Sequence, residues 1–478
     1  MARMWTEMLV YLHYALALMV SIRVLLRPRL EPAVRLSWIL VIEVVPLVGI
    51  IAYVLFGEIR MRGAEVQRIS DVRDRLSGLW QPSPYTVHEP FGYATPIIAA
   101  ARATGGFYAV VGNDITMLPE GDDAMDEMVA AIDAAHDHVH ILFYIWLDDQ
   151  SGAKVAQATI RAAKRGVRVR AIIDAIGSRG FSRSQLWADM GAAGVEQVVA
   201  LPLGLPIIGA LFQRMDLRNH RKILVVDNEL GFTGSRNCAD MAFATKPRFA
   251  PWIDILLRIR GPVVRQMQAV FLQDWMSYTG EDLGSMLHSH CPAMSNGAIA
   301  QVIATGPDRR EGTLSDCMVT MIHAARSCIT ITTPYYVPDT ALDSASRSAA
   351  RRGVTVTMIL PEHNDSLIVE ATSEGFYHGL LRAGVVVYLF QGGLLHTKAI
   401  SVDDRVVMLG SANMDRRSFE INYEMNMLVI DHKLIADLDE RQQSYINRSR
   451  RLNQAEVADW SVWRRLRNNL LALASPLL

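Results

Sequence analysis

Cysteine is scarce in this chain, and the charges nearly cancel. Only four of the 478 residues are cysteines, and no two of them form a Cys-x-x-Cys pair. The chain is therefore not a disulfide scaffold, and we expect ordinary thiols that are mostly buried. Charged residues make up 20% of the sequence, and the formal net charge is −1. This balance argues against a nucleic-acid-binding protein that relies on a global positive field, although it permits a local basic pocket.

Apolar residues are concentrated near the N-terminus. Residues 8–22 form a first apolar run, and residues 36–56 form a second run that Glu43 and Pro46 interrupt. The second run is long enough to cross a bilayer as a helix, and the first is long enough only if a flanking arginine reaches back to the interface. We therefore predict a transmembrane hairpin of two helices in residues 1–60.

A cleaved signal peptide is the alternative for the first run, because Ala15-Leu-Ala17 faintly resembles a cleavage site. Apolar residues continue beyond that point and a second run follows, which favours the hairpin. Arginines flank the hairpin on both sides, so the positive-inside rule leans only slightly toward a cytoplasmic C-terminal part.

Helical and strand-like segments alternate along the rest of the chain, in the same order twice. A helical pattern over residues 124–136 leads into the strand-like residues 139–146, and a helix that ends at Arg326 leads into the strand-like residues 329–336. This alternation predicts an α/β fold with helices layered over sheets. We expect a connector at 61–95, a first half at 96–280, a linker at 281–306 and a second half at 307–478.

One motif occurs in both halves with identical spacing. The segments His220-Arg-Lys222, Asp227 and Gly234-Ser235-Arg-Asn237 return as His396-Thr-Lys398, Asp403 and Gly410-Ser411-Ala-Asn413. In each copy the lysine lies two residues after the histidine, the aspartate five after the lysine, and the asparagine ten after the aspartate. Two copies in one register, 176 residues apart, indicate a duplicated half-domain. Each half would give one histidine and one lysine to a shared active site.

The local pattern predicts a β-hairpin around each motif. Residues two apart in an extended segment point to the same face, so His220 and Lys222 project together. Apolar residues suited to a strand follow the lysine, the motif aspartate begins a turn, and a returning strand brings the Gly-Ser-x-Asn segment back beside the histidine. We expect the motif aspartates, Asp227 and Asp403, to act mainly by holding the hairpin or a neighbouring lysine.

A pocket between the two halves would suit a phosphodiester. Lysines and amides can neutralise the charge that develops on non-bridging phosphate oxygens, and one neutral imidazole can attack phosphorus while the other donates a proton to the leaving alkoxide. No metal or other cofactor is needed, because the positive charge is already supplied. We assign phosphate binding to Ser235, Asn237, Ser411 and Asn413.

Other histidines offer a metal site as an alternative. His136, His138 and His140 alternate along one segment, and His288 and His290 precede Cys291. The first set resembles a helix-to-strand junction and the second lies in the predicted linker, so neither set is favoured as a zinc site.

The C-terminal tail from Trp460 to Leu471 mixes aromatic, basic and apolar residues at helical spacing. It is compatible with a helix in the membrane interface and equally with a helix packed on its own domain.

At the repeated motif, the chain resembles the phospholipase D superfamily, in which two His-x-Lys-x4-Asp motifs are each followed by Gly-Ser-x-Asn. It resembles bacterial cardiolipin synthases in particular, over nearly its whole length. The resemblance includes Pro46-Leu-Val-Gly49, Tyr53-Val-Leu-Phe-Gly57, Arg218-Asn-His220, Pro334-Tyr-Tyr and Ser475-Pro-Leu-Leu. It implies two pseudo-symmetric phospholipase D-type α/β/α halves that share one active site, in a multi-pass protein of the bacterial inner membrane.

The resemblance also implies a covalent phosphohistidine route that converts phosphatidylglycerol to cardiolipin and glycerol. By analogy His220 is the nucleophile and His396 the general acid and then base, although pseudo-symmetry makes the reverse assignment chemically equivalent. Superfamily members can place a histidine-orienting carboxylate after the asparagine. The matching residues are Glu424, eleven residues after the second asparagine, and Asp254, seventeen after the first. Such a partner would fix the imidazole tautomer.

Other functions remain open at this point. A phospholipase D-type hydrolase that releases phosphatidic acid differs only in whether water reaches the intermediate. A nuclease fits poorly with the charge balance and the apolar runs, and a membrane-anchored binding protein with a dead site fits poorly with two intact motifs. The sequence leaves the acceptor alcohol, the acyl-chain preference and the oligomeric state undetermined.

Overall fold

A computed structural model provides the fold of most of the chain. It describes residues 2–27, 32–45, 47–58, 63–79, 83–87, 92–202, 214, 216–288, 291–308 and 312–472.

Three helices, not two, form the N-terminal part: α1 (Ala2–Leu25), α2 (Pro32–Val44) and α3 (Val48–Phe56). The prediction of a single helix over the second apolar run was wrong. That run contains a proline at position 46, and proline in a helix interior removes a hydrogen bond and clashes with the preceding turn. Within the described ranges, no helix combines the length and the apolarity that a membrane span requires.

The three N-terminal helices pack against one another and pair their polar groups internally. Their shared core includes Val24, Trp38, Ile42 and Tyr53. Glu43 accepts a hydrogen bond from the Ser21 hydroxyl at 3.0 Å, and the buried Glu58 accepts one from Arg23 Nε at 2.6 Å. The outward faces of these helices remain apolar and exposed.

The connector contains helix α4 (Gly63–Leu79), and the first half follows it. The elements of the first half are α5 (Thr95–Gly105), β1 (Val110–Met117), α6 (Ala124–Asp133), β2 (His138–Phe143), α7 (Gln150–Lys164), β3 (Arg168–Asp174), α8 (Gln185–Ala192), β4 (Glu196–Ala200), β5 (Lys222–Val226), β6 (Leu230–Gly234), β7 (Trp252–Ile253), β8 (Leu256–Arg260) and α9 (Val264–Thr279).

The second half repeats this order and adds a C-terminal extension. Its elements are β9 (Ala298–Thr305), α10 (Thr313–Ala324), β10 (Cys328–Thr332), β11 (Tyr336–Val337), α11 (Thr340–Arg351), β12 (Thr355–Pro361), α12 (Leu367–Ala383), β13 (Val386–Phe390), β14 (Leu394–Leu395), β15 (Ala399–Val402), β16 (Val406–Gly410), β17 (Met414–Asp415), β18 (Glu424–Ile430), α13 (His432–Asn447), β19 (Ser449–Arg451), α14 (Gln454–Ala458) and α15 (Val462–Ala472).

One sheet of fifteen strands runs through both halves, in the order β19-β13-β12-β10-β15-β16-β18-β9-β1-β8-β6-β5-β2-β3-β4. The central pair, β9 and β1, is antiparallel. Outward from this pair the two halves mirror each other, because β18, β16, β15 and β10 occupy the places of β8, β6, β5 and β2. The predicted α/β fold with two repeated halves is confirmed, and the halves share one continuous sheet.

Two segments predicted to lie between units contain regular structure. Residues 298–305 of the expected linker form β9, and all eight of its side chains are buried. Strands buried on both faces lack the alternating pattern that marks half-buried strands. The Ser- and Gly-rich residues before β9 therefore gave the whole region the pattern of a linker. The expected connector contains α4, which buries Ile69 and Leu76.

The predicted hairpins are β5–β6 and β15–β16, with matching turns. Asp227, Asn228, Asp403 and Asp404 have φ between 51° and 57°, which is the geometry of a two-residue turn that Asp and Asn tolerate better than most residues. The Asp227 carboxylate accepts the N–H groups of Asp137 and His138 at 2.8 Å.

The Asp403 carboxylate makes the equivalent contacts in the second half. It accepts the N–H groups of Ser327 at 2.7 Å and Cys328 at 3.0 Å. Each motif aspartate therefore fastens its hairpin to the start of the neighbouring strand, β2 or β10.

We expect Asp403→Ala to destabilise the protein by about 1–3 kcal/mol more than Asp404→Ala, because only the first substitution leaves backbone N–H groups without their acceptor. Both residues have positive φ, so the strain that alanine introduces is nearly the same in the two variants. Urea denaturation in detergent measures the difference. Equal destabilisation in both variants would contradict this role for Asp403.

Candidate active site

The two hairpins bring the motif histidines to one pocket between the halves. His220 lies two residues before the start of β5, and His396 lies three residues before the start of β15. Both imidazoles line a cavity of about 360 Å³, together with Asn237 and Asn413.

Each histidine is held by a carboxylate from the other half. His220 Nδ1 lies 2.9 Å from Glu424 Oε2, and His396 Nδ1 lies 2.7 Å from Asp254 Oδ1. Glu424 begins β18 in the second half, and Asp254 follows β7 in the first. Neither half alone contains a histidine with its carboxylate, so the pocket requires both.

Backbone hydrogen bonds hold this crossed arrangement in register. The N–H of His220 donates to the carbonyl of Tyr423, the residue before Glu424, at 2.9 Å. The N–H of His396 donates to the carbonyl of Ile253, the residue before Asp254, at 2.8 Å. The same local geometry therefore occurs on both sides of the pseudo-two-fold axis.

Burial and the carboxylates together set the protonation of the site. Burial lowers the pKa of His220 to about 4 against the opposing effect of Glu424, and it lowers the pKa of His396 as well. Burial alone would raise the pKa of Glu424, but His220 and Lys222 outweigh it and lower that pKa to about 2. At neutral pH each imidazole is thus neutral, donates Nδ1–H to an ionised carboxylate and presents Nε2 as a base or nucleophile.

The motif serines contact these carboxylates and not the pocket. Ser411 Oγ donates to Glu424 Oε2, and the Ser235 hydroxyl hydrogen-bonds Asp254. The structure thus places Ser235 and Ser411 beside the histidine-orienting carboxylates, and their assignment to phosphate binding stays a prediction. A buried carboxylate needs several donors, and each serine supplies one beside the histidine.

The motif asparagines remain available to a ligand. Both side-chain polar atoms of Asn237 and the Oδ1 atom of Asn413 are buried without a hydrogen-bond partner, which is unusual for amides. The Nδ2 group of Asn413 contacts Asp415 Oδ2 at 3.2 Å. Since both asparagines line the cavity, a bound phosphate would accept a hydrogen bond from the free Nδ2 group of Asn237.

The motif lysines are buried under the histidines. Lys222 Nζ donates to the carbonyl of His220 at 2.6 Å, and Lys398 Nζ donates to the carbonyl of His396 at 2.5 Å. Burial lowers the pKa of Lys222 to about 8 and that of Lys398 to about 7. An anionic ligand in the pocket would favour the charged form of both.

Asp227 and Asp403 lie away from this pocket, although the motif groups them with the catalytic residues. Each follows the far end of a strand whose first residues are at the pocket, and each carboxylate binds backbone N–H groups. They hold the hairpins as expected, but through the start of a neighbouring strand and not through a lysine.

The other histidine clusters contain no metal-binding arrangement in the described ranges, where no three His, Cys, Asp or Glu side chains converge on one point. His138 Nδ1 pairs with Asp137, and His140 Nδ1 pairs with Gln268. His290 lies outside the described residues. Cys238, Cys291 and Cys317 are buried and all four thiols are free, as expected.

Several residues of the pocket wall were not singled out from the sequence. The Tyr144 ring lies 4.8 Å from the His220 ring, and the Trp252 ring lies 4.7 Å from the His396 ring. The remaining polar wall includes Arg218, Lys246, Tyr335, Asp365, Asp415 and Arg417. Arg218 and Asp415 lie two residues from a motif residue and Arg417 lies four residues after Asn413, so spacing could have pointed to them. Lys246, Tyr335 and Asp365 lie further from the motif residues.

Two buried imidazoles, each oriented by a carboxylate and backed by a lysine, define a phosphodiester-processing enzyme of the phospholipase D type. The chain belongs to the cardiolipin synthase family of phospholipase D-like proteins. Residues 128–275 and 318–446 match the family described as "Cardiolipin synthase, PLD-like domain", and residues 15–58 match the one described as "Phospholipase_D-nuclease N-terminal".

Proteins named Cardiolipin synthase A are similar along almost the entire chain. The one from Edwardsiella ictaluri is 34% identical over 98% of this chain and 97% of its own length. The one from Escherichia fergusonii is 35% identical over 96% of both chains. The crystal structure of phosphatidylserine synthase from Haemophilus influenzae has the same fold, with a TM-score of 0.58 at 14% identity, over 80% of this chain and 99% of that one.

We expect Glu424→Gln to reduce kcat roughly 100- to 10 000-fold, since a neutral amide no longer fixes the His220 tautomer or stabilises its positive charge. Thermal melting followed by circular dichroism checks that the variant is folded. The matched control is Glu420→Gln, which removes a carboxylate that pairs with Arg416 outside the site. Full activity in the folded Glu424→Gln variant would contradict the positioning role.

The pH dependence of kcat/KM reports groups of the free enzyme. It should fall as the pH drops through about 4, where His220 becomes protonated and loses its nucleophilic lone pair. It should also fall as the pH rises, first because His396, whose pKa burial lowers, must carry the proton for the leaving group. The fall should become steeper through about 7 to 8, where Lys398 and Lys222 lose their positive charges. Replacing the exposed Lys164 with methionine should leave the profile unchanged. An alkaline limit near the ordinary lysine pKa of about 10 would show that the buried lysines are not responsible.

Proposed function

We propose that this chain is a cardiolipin synthase, which transfers a phosphatidyl group from one phosphatidylglycerol to another and releases glycerol. The carrying observation is the pair of imidazoles at one pocket, each with a free Nε2 and a carboxylate on Nδ1. The close relatives named Cardiolipin synthase A support the lipid substrate.

The first step forms a covalent intermediate. His220 Nε2 attacks phosphorus of the first phosphatidylglycerol, and the bond from phosphorus to the glycerol oxygen breaks. His396, protonated beside the anionic phosphodiester, gives its Nε2 proton to the departing glycerol. The low pKa of His220 supports its role as nucleophile, because it keeps the ring unprotonated before attack.

The second step reverses these roles. Neutral His396 accepts a proton from a hydroxyl of the second phosphatidylglycerol, whose oxygen attacks phosphorus and displaces His220. One phosphoester bond replaces another of similar chemistry, so no nucleotide is consumed. Lys222, Lys398, Asn237 and Asn413 stabilise the charge on the non-bridging oxygens in both steps.

We propose that residues 1–60 anchor the enzyme in the bacterial inner membrane, with the halves at 96–280 and 307–478 on the cytoplasmic side. The exposed side chains of α1 to α3, among them Leu12, Leu18, Leu40 and Ile51, give this part an apolar exterior. Such a surface is suited to lipid and costly in water.

The product profile of the purified protein in phosphatidylglycerol liposomes tests the proposal. We expect cardiolipin and glycerol in equal amounts by mass spectrometry, with loss of both in His220→Ala and His396→Ala. The exposed His136 provides the control, and His136→Ala should retain activity. Phosphatidic acid as the main product would instead establish the hydrolase.

The same assay tests whether a metal takes part. Because two lysines supply the positive charge, we expect full activity after treatment with EDTA. Abolition by the chelator and recovery with one divalent ion would contradict the proposed mechanism.

A further inference from the structure

Helix α15, near the C-terminus, carries two faces of opposite character. Its inner face lies on α12, where Glu374 accepts hydrogen bonds from Arg464 at 2.6 Å, Arg467 at 3.2 Å and the buried Asn468 at 2.7 Å. The helix is thus fastened to the catalytic body through one carboxylate.

The opposite face of α15 is apolar and open. Val462, Trp463, Leu466 and Leu470 are 69%, 78%, 53% and 63% exposed. At 3.6 residues per turn these four positions fall within an arc of about 100°. Large apolar side chains grouped on one helix face and left in water are unfavourable, so this face requires a partner.

The charges around the apolar face indicate which partner. Arg465 and Arg467 lie on either side of the arc, and Arg465 is exposed without an ion pair among the described residues. A tryptophan and leucines bordered by arginines match the boundary between acyl chains and anionic headgroups. A bilayer that contains phosphatidylglycerol supplies both.

The position of α15 relative to the pocket agrees with this partner. Helix α12 begins with Leu367 and Ile368, which are 78% and 40% exposed, directly after Asp365 of the pocket wall. Glu374, which holds α15, lies about 10 Å further along the same helix. Ile176, also in the wall, is 42% exposed. Helix α12 therefore connects exposed apolar residues at the pocket wall, at its start, to the carboxylate that holds α15.

We propose that α15 is a second membrane contact, which lies in the headgroup region of the anionic bilayer and sets the pocket rim against the lipid surface. This inference rests on the proposed function only in taking a lipid as substrate. The N-terminal helices attach the enzyme to the membrane, and α15 orients it.

Quenching of tryptophan fluorescence by lipids brominated on their acyl chains tests the contact directly. Full-length protein is reconstituted in vesicles of phosphatidylglycerol and brominated phosphatidylcholine. We expect the quenched fraction to drop in Trp463→Phe relative to the unsubstituted protein. Equal quenching in the two proteins would overturn the proposal.

Activity on two forms of the substrate tests the consequence. The double variant Trp463→Ser/Leu466→Ser should lose activity several-fold on phosphatidylglycerol in vesicles and retain it on dihexanoyl-phosphatidylglycerol presented as monomers. Met294→Ser, which removes another exposed apolar side chain, should be active in both assays. Equal losses of activity on the two substrates would indicate a structural role for α15. Loss of a dimer in the double variant, with no quenching of Trp463 by brominated lipid, would indicate self-association. Either result overturns the proposal. Turnover is counted as total phosphatidylglycerol consumed, so the comparison is valid whether the product is cardiolipin or phosphatidic acid.

Discussion

The active site depends on two carboxylates that reach across the boundary between the halves. The Glu424 side chain is fully buried and that of Asp254 nearly so, and each orients the histidine of the other half. A buried carboxylate with too few positively charged or hydrogen-bonding partners is costly. Separating the halves would take the histidine from each carboxylate and leave only partners of its own half, such as Ser411 and Ser235. The continuous sheet through β1 and β9 holds the halves in the one register that pairs them. The same contacts therefore set the catalytic geometry and stabilise the interface between the halves.

Burial in the low-dielectric interior shifts the pKa values of the histidines and lysines at the site. Burial removes the positive charge from the imidazoles at neutral pH and weakens it on the lysines. An anionic phosphodiester restores both charges when it enters, because its own charge then lies within the low-dielectric pocket. The unpaired Nδ2 group of Asn237 finds an acceptor in the same event. The pocket is thus arranged for a negatively charged ligand and poorly arranged for a neutral one.

The sequence predicted the features that follow from local pattern. Strand alternation located β5, β6, β15 and β16, and two copies of one motif in the same register predicted that the halves meet at a shared pocket. The turn residues indicated the hairpins, and the structure shows how Asp227 and Asp403 hold them. The resemblance to the phospholipase D superfamily, and not spacing alone, pointed to the carboxylates, each of which follows the returning strand of its own half.

What the sequence could not predict depends on contacts between distant segments. The crossing of Glu424 to His220 arises from the backbone pairing of Tyr423 with the segment before His220, which no spacing encodes. The serines were assigned to phosphate because a hydroxyl near a phosphate site is a plausible donor. In the structure they instead contact the buried carboxylates beside them. Strand β9 was not predicted, because the loop-forming residues before it gave the region the pattern of a linker. Trp252, in β7, and Tyr144, directly after β2, reach the histidines from segments whose positions depend on the whole fold.

The central claim is that one histidine, His220, carries the phosphatidyl group between two alcohols. Rapid mixing with phosphatidylglycerol, quenching in denaturant and mass spectrometry of peptides tests it most directly. The account predicts a phosphatidyl adduct on the peptide that contains His220. The adduct should form more slowly in His396→Ala, which lacks the general acid, and it should be absent from His220→Ala. An adduct on His396 in the unsubstituted protein, or turnover with no adduct on either histidine, would contradict it.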